Sequence, residues 1–133
     1  MADVEALLQE ALELGENGDW EGMSQLLHET IEEHPENAEL LCWAGMAERE
    51  LGREGSAYDL FKRALATGST EPRVLAMAGN GVAAFDDPDA EGALRTAALM
   101  APDLPEARLY YGAYLAREGM LEEAMKELDV ARE

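Results

Sequence analysis

A chain of 133 residues is long enough for one domain with a modest core. Ala, Leu, Glu and Met dominate and Ile appears once, which sets the composition against both disorder and a sheet. A formal charge of −19, from 29 acidic and 10 basic residues, repels phosphate backbones and anionic membrane surfaces and favours basic or neutral partners.

The N-terminal "MADVEALLQE" has neither a basic n-region nor an apolar h-region, and no apolar run approaches ~18 residues. The expected location is cytoplasmic, with no membrane span. Periodicity predicts eight helices, at about 3–15, 19–33, 38–51, 54–67, 72–84, 88–100, 105–117 and 121–132. Gly18, Gly52 and Gly119 fall at helix ends, where a left-handed residue satisfies the last carbonyls. The third helix, within "LLCWAGMAERELG", is apolar on two sides. Cys42 within it is the only cysteine, which excludes an intramolecular disulfide and suits a small apolar filler. "DDPDA" reads as a turn in which Asp87 caps a helix starting near Pro88.

These elements repeat. "ELGREGSAYDLFKRAL" and "LAREGMLEEAMKELDVA" share one frame: Gly52, Ala57, Phe61 and Ala64 correspond to Gly119, Ala124, Leu128 and Ala131. Two further copies carry Met23, Leu27, Thr30 and Pro35, and Ala90, Leu94, Ala97 and Pro102. Met23, Ala57, Ala90 and Ala124 lie 34, 33 and 34 residues apart. In the first helix of each copy an apolar residue precedes a small one by four, as in Leu7/Ala11, Leu41/Gly45 and Leu75/Gly79; Arg108/Gly112 departs in its first member.

This pattern resembles the tetratricopeptide repeat (TPR) family, a unit of about 34 residues folded as helix–turn–helix. The resemblance implies an all-α fold: a right-handed superhelical array of about four hairpins in a single domain, with repeats near 4–37, 38–71, 72–104 and 105–133. Gly45, Gly79 and Gly112 lie in mid-helix, where Gly costs roughly 1 kcal/mol against Ala, so close helix crossing is expected there. The departures are Met23 and Thr30 for Ala, Ser69 for Pro, a third repeat one residue short, and Arg108 for an apolar residue. Glu48 also falls where the family places a large core residue. The last hairpin carries Glu122, Glu123, Lys126, Glu127 and Asp129, so it either caps itself or offers its flank to a second molecule.

Little points to catalysis, a cofactor or a metal. His28 and His34 are spaced i, i+6 and do not share a helical face; they read as surface or helix-end residues. Ser24 and Ser56 have no evident base. "DDPDA" lacks the Gly and terminal Glu of a calcium loop, and "AGNGVAA" lacks the strand and spacing of a phosphate loop.

Binding is the remaining chemistry. In the family, the first helix of each repeat lines a concave groove. At 100° per residue, Cys42, Met46 and Trp43 lie about 100°, 140° and 200° from Leu41, away from the helix partner. Equivalent offsets select Leu8 and Leu12 in repeat one, Met77 and Asn80 in repeat three, and Leu109, Tyr110 and Ala113 in repeat four. The expected groove is apolar along its floor, with Glu5 and Glu16 as acidic edges. The chain therefore reads as a non-enzymatic scaffold or adaptor binding an apolar, partly basic peptide segment or helix of another protein. The alternative is a self-assembling structural protein that uses this stripe or its terminal repeat as a homo-oligomer interface.

Overall fold

The computed structural model describes residues 3–132, the side chains at 121 and 128–132 excepted. The helices are α1 (Val4–Glu16), α2 (Trp20–Glu33), α3 (Ala38–Glu50), α4 (Glu54–Ala66), α5 (Pro72–Ala83), α6 (Asp89–Met100), α7 (Pro105–Arg117) and α8 (Leu121–Arg132). Each boundary lies within one residue of its sequence expectation. There is no strand among the described residues, and the fold is all-α. The expected frame roles of Leu128 and Ala131 and the charge of Asp129 concern side chains outside the described residues.

The chain divides into two compact units, Met1–Thr67 and Gly68–Glu133. In the first, α1 pairs with α2, α3 pairs with α4, and α2 packs on α3. In the second, α5 pairs with α6, α7 pairs with α8, and both α5 and α6 pack on α7.

Local chemistry starts and stops these helices. Asp3, Asp19 and Asn37 accept hydrogen bonds from the amides of Glu5, Gly22 and Leu40 at 3.2, 2.9 and 3.1 Å. Those contacts satisfy first-turn amides that have no partner within the helix. Pro72 and Pro105 occupy first-turn positions, where a missing N–H costs nothing. Gly18, Gly52 and Gly119 have φ of 80°, 77° and 82°. The residue after each donates to a carbonyl five back: Asp19 to Leu14, Arg53 to Glu48 and Met120 to Leu115, all at 2.8 Å. This is the closure expected of a left-handed helix stop.

The short third repeat closes differently. Asp86 takes the left-handed turn at φ 54°, and α6 begins at Asp89, one residue after the expected start. Pro88 has no amide to cap, so buried Asp87 accepts from the Asp89 N–H instead, at 2.8 Å.

The small residues mark where hairpin helices cross. A Cβ on Gly45 would meet Phe61 Cε1 and Cζ at 2.9 Å, and one on Gly79 would meet Leu94 Cγ at 3.0 Å. Phe61 and Leu94, with 1% and 0% of their surface exposed, fill the room left by the missing side chains. Burying such a side chain stabilises by about 1.5–3 kcal/mol, which outweighs the mid-helix Gly cost.

Candidate functional site

In the first unit, the packing of α3 decides what surface remains. Leu41 and Gly45 face inward, but Leu40, Cys42, Ala44, Ala47 and Glu48 are buried as well. Only Trp43, Met46 and Arg49 stay half-buried on the main body of the helix. Leu8 and Leu12 on α1 are also half-buried. Arg49 Nη2 lies 2.9 Å from Met46 Sδ, and its guanidinium sits 5.7 Å from the Phe61 ring centroid. A cation thus already lies on one side of Met46.

Cys42 is a correction. It has no exposed surface and belongs to the packed interior, not to an open floor. Burial, with a smaller contribution from Glu39, pushes its thiol up to about 12, so it stays protonated and unreactive at neutral pH.

In the second unit, Met77 and Asn80 on α5 are half-buried. Leu109 is 49% exposed and Ala113 is exposed, both on α7. Tyr110 is partly committed to the interior: with Leu75 and Leu104 it packs on Ala76, Ala97 and Ala107. Among the expected residues, exposure thus runs from none at Cys42 in the first unit to open at Leu109 and Ala113 in the second.

Sequence reasoning missed a polar cluster in the first unit. Glu48, 3% exposed, accepts a hydrogen bond from Ser24 Oγ at 2.5 Å. Arg53 Nη1 approaches both Glu48 oxygens at 3.5 Å while Arg53 Nη2 pairs with Glu21 at 2.6 Å. The bond to Glu21 is the largest cause raising the Arg53 pKa further. His28 Nδ1 donates to the Ser24 carbonyl at 2.8 Å, and its Nε2 lies 3.9 Å from Glu48. Ser24 therefore has a histidine and a carboxylate beside it, contrary to expectation. The arrangement does not activate a nucleophile, because the hydroxyl is buried and donates to the carboxylate while the histidine proton points at a backbone carbonyl. It links α2, α3 and the turn after α3. The signals were present: Ser24 and His28 at i, i+4, and a carboxylate at a core position.

Arg108 has a comparable account in the second unit. Its Nη1 pairs with Glu127 of α8 at 2.5 Å, with both side chains 17% exposed. No helix among the described residues is long and apolar enough to cross a membrane.

Repeated antiparallel helix pairs, closed by left-handed glycines and crossed at small residues, define a helical-hairpin repeat protein. The tetratricopeptide repeat family model matches residues 8–72. Solved structures match nearly the whole chain. YrrB, described as a TPR protein with an unusual peptide-binding site, is 25% identical over 97% of this chain and 67% of its own, with a TM-score of 0.73. TTC0263, a thermophilic TPR protein of Thermus thermophilus, is 20% identical over 96% and 72%, with a TM-score of 0.77. MamA from Desulfovibrio magneticus RS-1 is 20% identical over 98% and 75%, with a TM-score of 0.75. No curated protein matches. Residues 8–72 thus carry the tetratricopeptide repeat pattern, and the chain as a whole is similar to solved tetratricopeptide repeat proteins.

Proposed function

We propose that this protein is a scaffold or adaptor that holds an apolar, partly basic segment of another protein against the outer faces of its first helices. The tetratricopeptide repeat fold supports a protein–protein interaction module, and proteins of this kind are generally non-catalytic scaffolds. The observation that carries the reading is the state of α3. Its Leu41 and Gly45 side is closed by Phe61, yet Trp43 and Met46 remain half-exposed on the other side. Trp is a favoured interface anchor because it contributes a large area for two torsions, and Met because its flexible, polarizable thioether adapts to a partner's surface. Leu8 and Leu12 on α1 offer further apolar surface in the first unit, and Met77, Asn80, Leu109, Tyr110 and Ala113 offer a stretch in the other. The net charge of −19 selects a basic or neutral segment.

Capture of partners from lysate by the immobilised chain, compared with Trp43→Ala, tests this. The variant is expected to lose the partner at unchanged helicity; undiminished capture removes Trp43 from the site. Self-assembly is the second reading, favoured by the exposed Leu99 and Met100 on α6, at 71% and 51%. Light scattering across a concentration series decides it, since a monomer at high concentration excludes that interface.

A further inference from the structure

The repeat frame sets the outer positions of the second helices side by side. Gln25, Glu29, Glu32 and Glu33 on α2, and Asp59, Arg63, Ala66 and Thr67 on α4, correspond to Gly92, Thr96, Leu99 and Met100 on α6. This face holds charges on α2 and α4 and none at the same positions on α6. Leu99 and Met100 are 71% and 51% exposed there. At 100° per residue, Leu99, Thr96, Arg95 and Met100 lie within about 80° of Gly92, and Leu99 sits almost in line with it two turns on. A Cβ on Gly92 would meet nothing within 4 Å, whereas Gly45 and Gly79 each make room for a side chain of the same hairpin. Gly92 thus costs roughly 1 kcal/mol of helix propensity with no packing inside the hairpin to offset it. The face therefore has a notch at Gly92 and a knob at Leu99. α7 packs on α5 and α6 without covering it, and a further hairpin would pack on α7 and α8 in the same way.

We propose that this face of α6 pairs with the same face of a second copy, the two helices antiparallel about a two-fold axis between Arg95 and Thr96. The proposal rests on the self-assembly reading above and gives it a geometry. Shape argues for a copy, because Gly92 and Leu99 lie equally far from that axis, about 5 Å along the helix on either side. Each Leu99 then enters the notch that Gly92 leaves on the other copy. A ridge whose knob and notch mirror each other is its own complement, as an isologous interface requires. Charge argues the same way. Arg95 is the one charged residue of the five and already pairs with Glu91 at 2.9 Å. A basic segment finds no free carboxylate on the ridge, and two copies meet there without unpaired like charges. On α2, by contrast, the exposed Glu29, Glu32 and Glu33 would repel their own copies. One helix face buries well under the ~800 Å² per partner of a stable interface, so the pair is weak, with a dissociation constant of about 0.1–1 mM. The charge of −19 on each chain weakens it further at low salt.

Sedimentation of the full chain over a concentration series tests this. A monomer–dimer equilibrium that tightens with added NaCl is expected. Leu99→Gln, which leaves the net charge unchanged, is expected to weaken it about tenfold. Gly92→Gln is expected to weaken it as much by filling the notch, although its side chain meets nothing in the chain's own fold and improves helix propensity. Circular dichroism checks that both variants keep their helicity. A surface that is merely apolar responds to Leu99→Gln alone. Thr96→Cys places a thiol beside the axis and is expected to form a disulfide-linked dimer under mild oxidation. Arg63→Cys, at the corresponding position of α4, is expected not to, and Cys42 has no exposed surface with which to compete. A dimer indifferent to Gly92→Gln or to Leu99→Gln, or equal cross-linking by the two cysteine variants, overturns this pairing and leaves self-assembly standing. A monomer at concentrations well above the expected constant overturns both.

Discussion

The two units solve one problem in different ways. Each carries a charged residue where a first helix of the repeat normally packs an apolar one, Glu48 on α3 and Arg108 on α7. The first unit surrounds its carboxylate with Ser24, Arg53 and, more distantly, His28, tying three segments together. The second unit matches its guanidinium to a single carboxylate, Glu127. Their surfaces differ as well. The large hydrophobics that stay exposed, Phe85, Leu99, Met100, Leu109, Met120 and Met125, all lie in the second unit among the described residues. One repeat frame thus supports a closed, internally cross-linked unit and a more open one. The frame positions determine the fold, and the positions between them determine what surface remains.

Breaking the first unit's cluster is expected to have the largest effect. Glu48→Ala opens a cavity and leaves the buried Ser24 hydroxyl without its acceptor, a loss of about 2–3 kcal/mol in urea unfolding. Ser24→Ala with Glu48→Leu is expected to recover that loss or exceed wild type by ~1 kcal/mol, since apolar packing often outperforms a buried ionic cluster. A double variant as unstable as Glu48→Ala contradicts this account of Glu48.

The helix crossings give the next contrast. Gly45→Ala drives a methyl against a rigid aromatic ring and is expected to cost ~1–2 kcal/mol, even after the gain in helix propensity. Gly79→Ala meets Leu94 Cγ at 3.0 Å and Ala93 Cβ at 3.1 Å, slightly looser contacts, so after the gain in helix propensity a smaller cost, below ~1 kcal/mol, is expected in thermal unfolding. Equal effects at both glycines break the contrast. In the second unit, Glu127→Gln is expected to cost about 1 kcal/mol, because the half-buried Arg108 loses its charged partner. A double-mutant cycle with Arg108→Leu measures the coupling.

Cys42 comes last, because its pH-dependent contribution varies only in alkali. Its folded value of about 12 lies above the ordinary 9.0, so its contribution is complete below pH 9 and disappears as pH rises from there to about 12. Replacement by Ala is expected to flatten stability over that alkaline window, leaving a pH-independent cost of about 1 kcal/mol for the buried sulfur. Equally steep alkaline loss in both chains contradicts it.

The helices and their stops were legible because Gly18, Gly52 and Gly119 act through local backbone geometry, which periodicity and turn chemistry capture. The close contacts of Gly45 and Gly79 were legible because a mid-helix glycine needs a packing reason. The site was only partly so. Helical angles place Cys42 and Trp43 on the same broad side, but they cannot tell a position covered by a neighbouring helix from an open one. Cys42 turned out buried and Tyr110 partly so for that reason. The Ser24–Glu48 contact joins α2 to α3 across 24 residues, a tertiary pairing that neither repeat frame nor local spacing encodes.

The central claim is that the Trp43 face of α3 is a binding surface. It is tested most directly by tryptophan emission in a Trp20→Phe chain, where Trp43 is the sole reporter, titrated with the partner recovered from capture. A saturable blue shift as Trp43 leaves water is the predicted result. Stoichiometric binding with no change in Trp43 emission would contradict it.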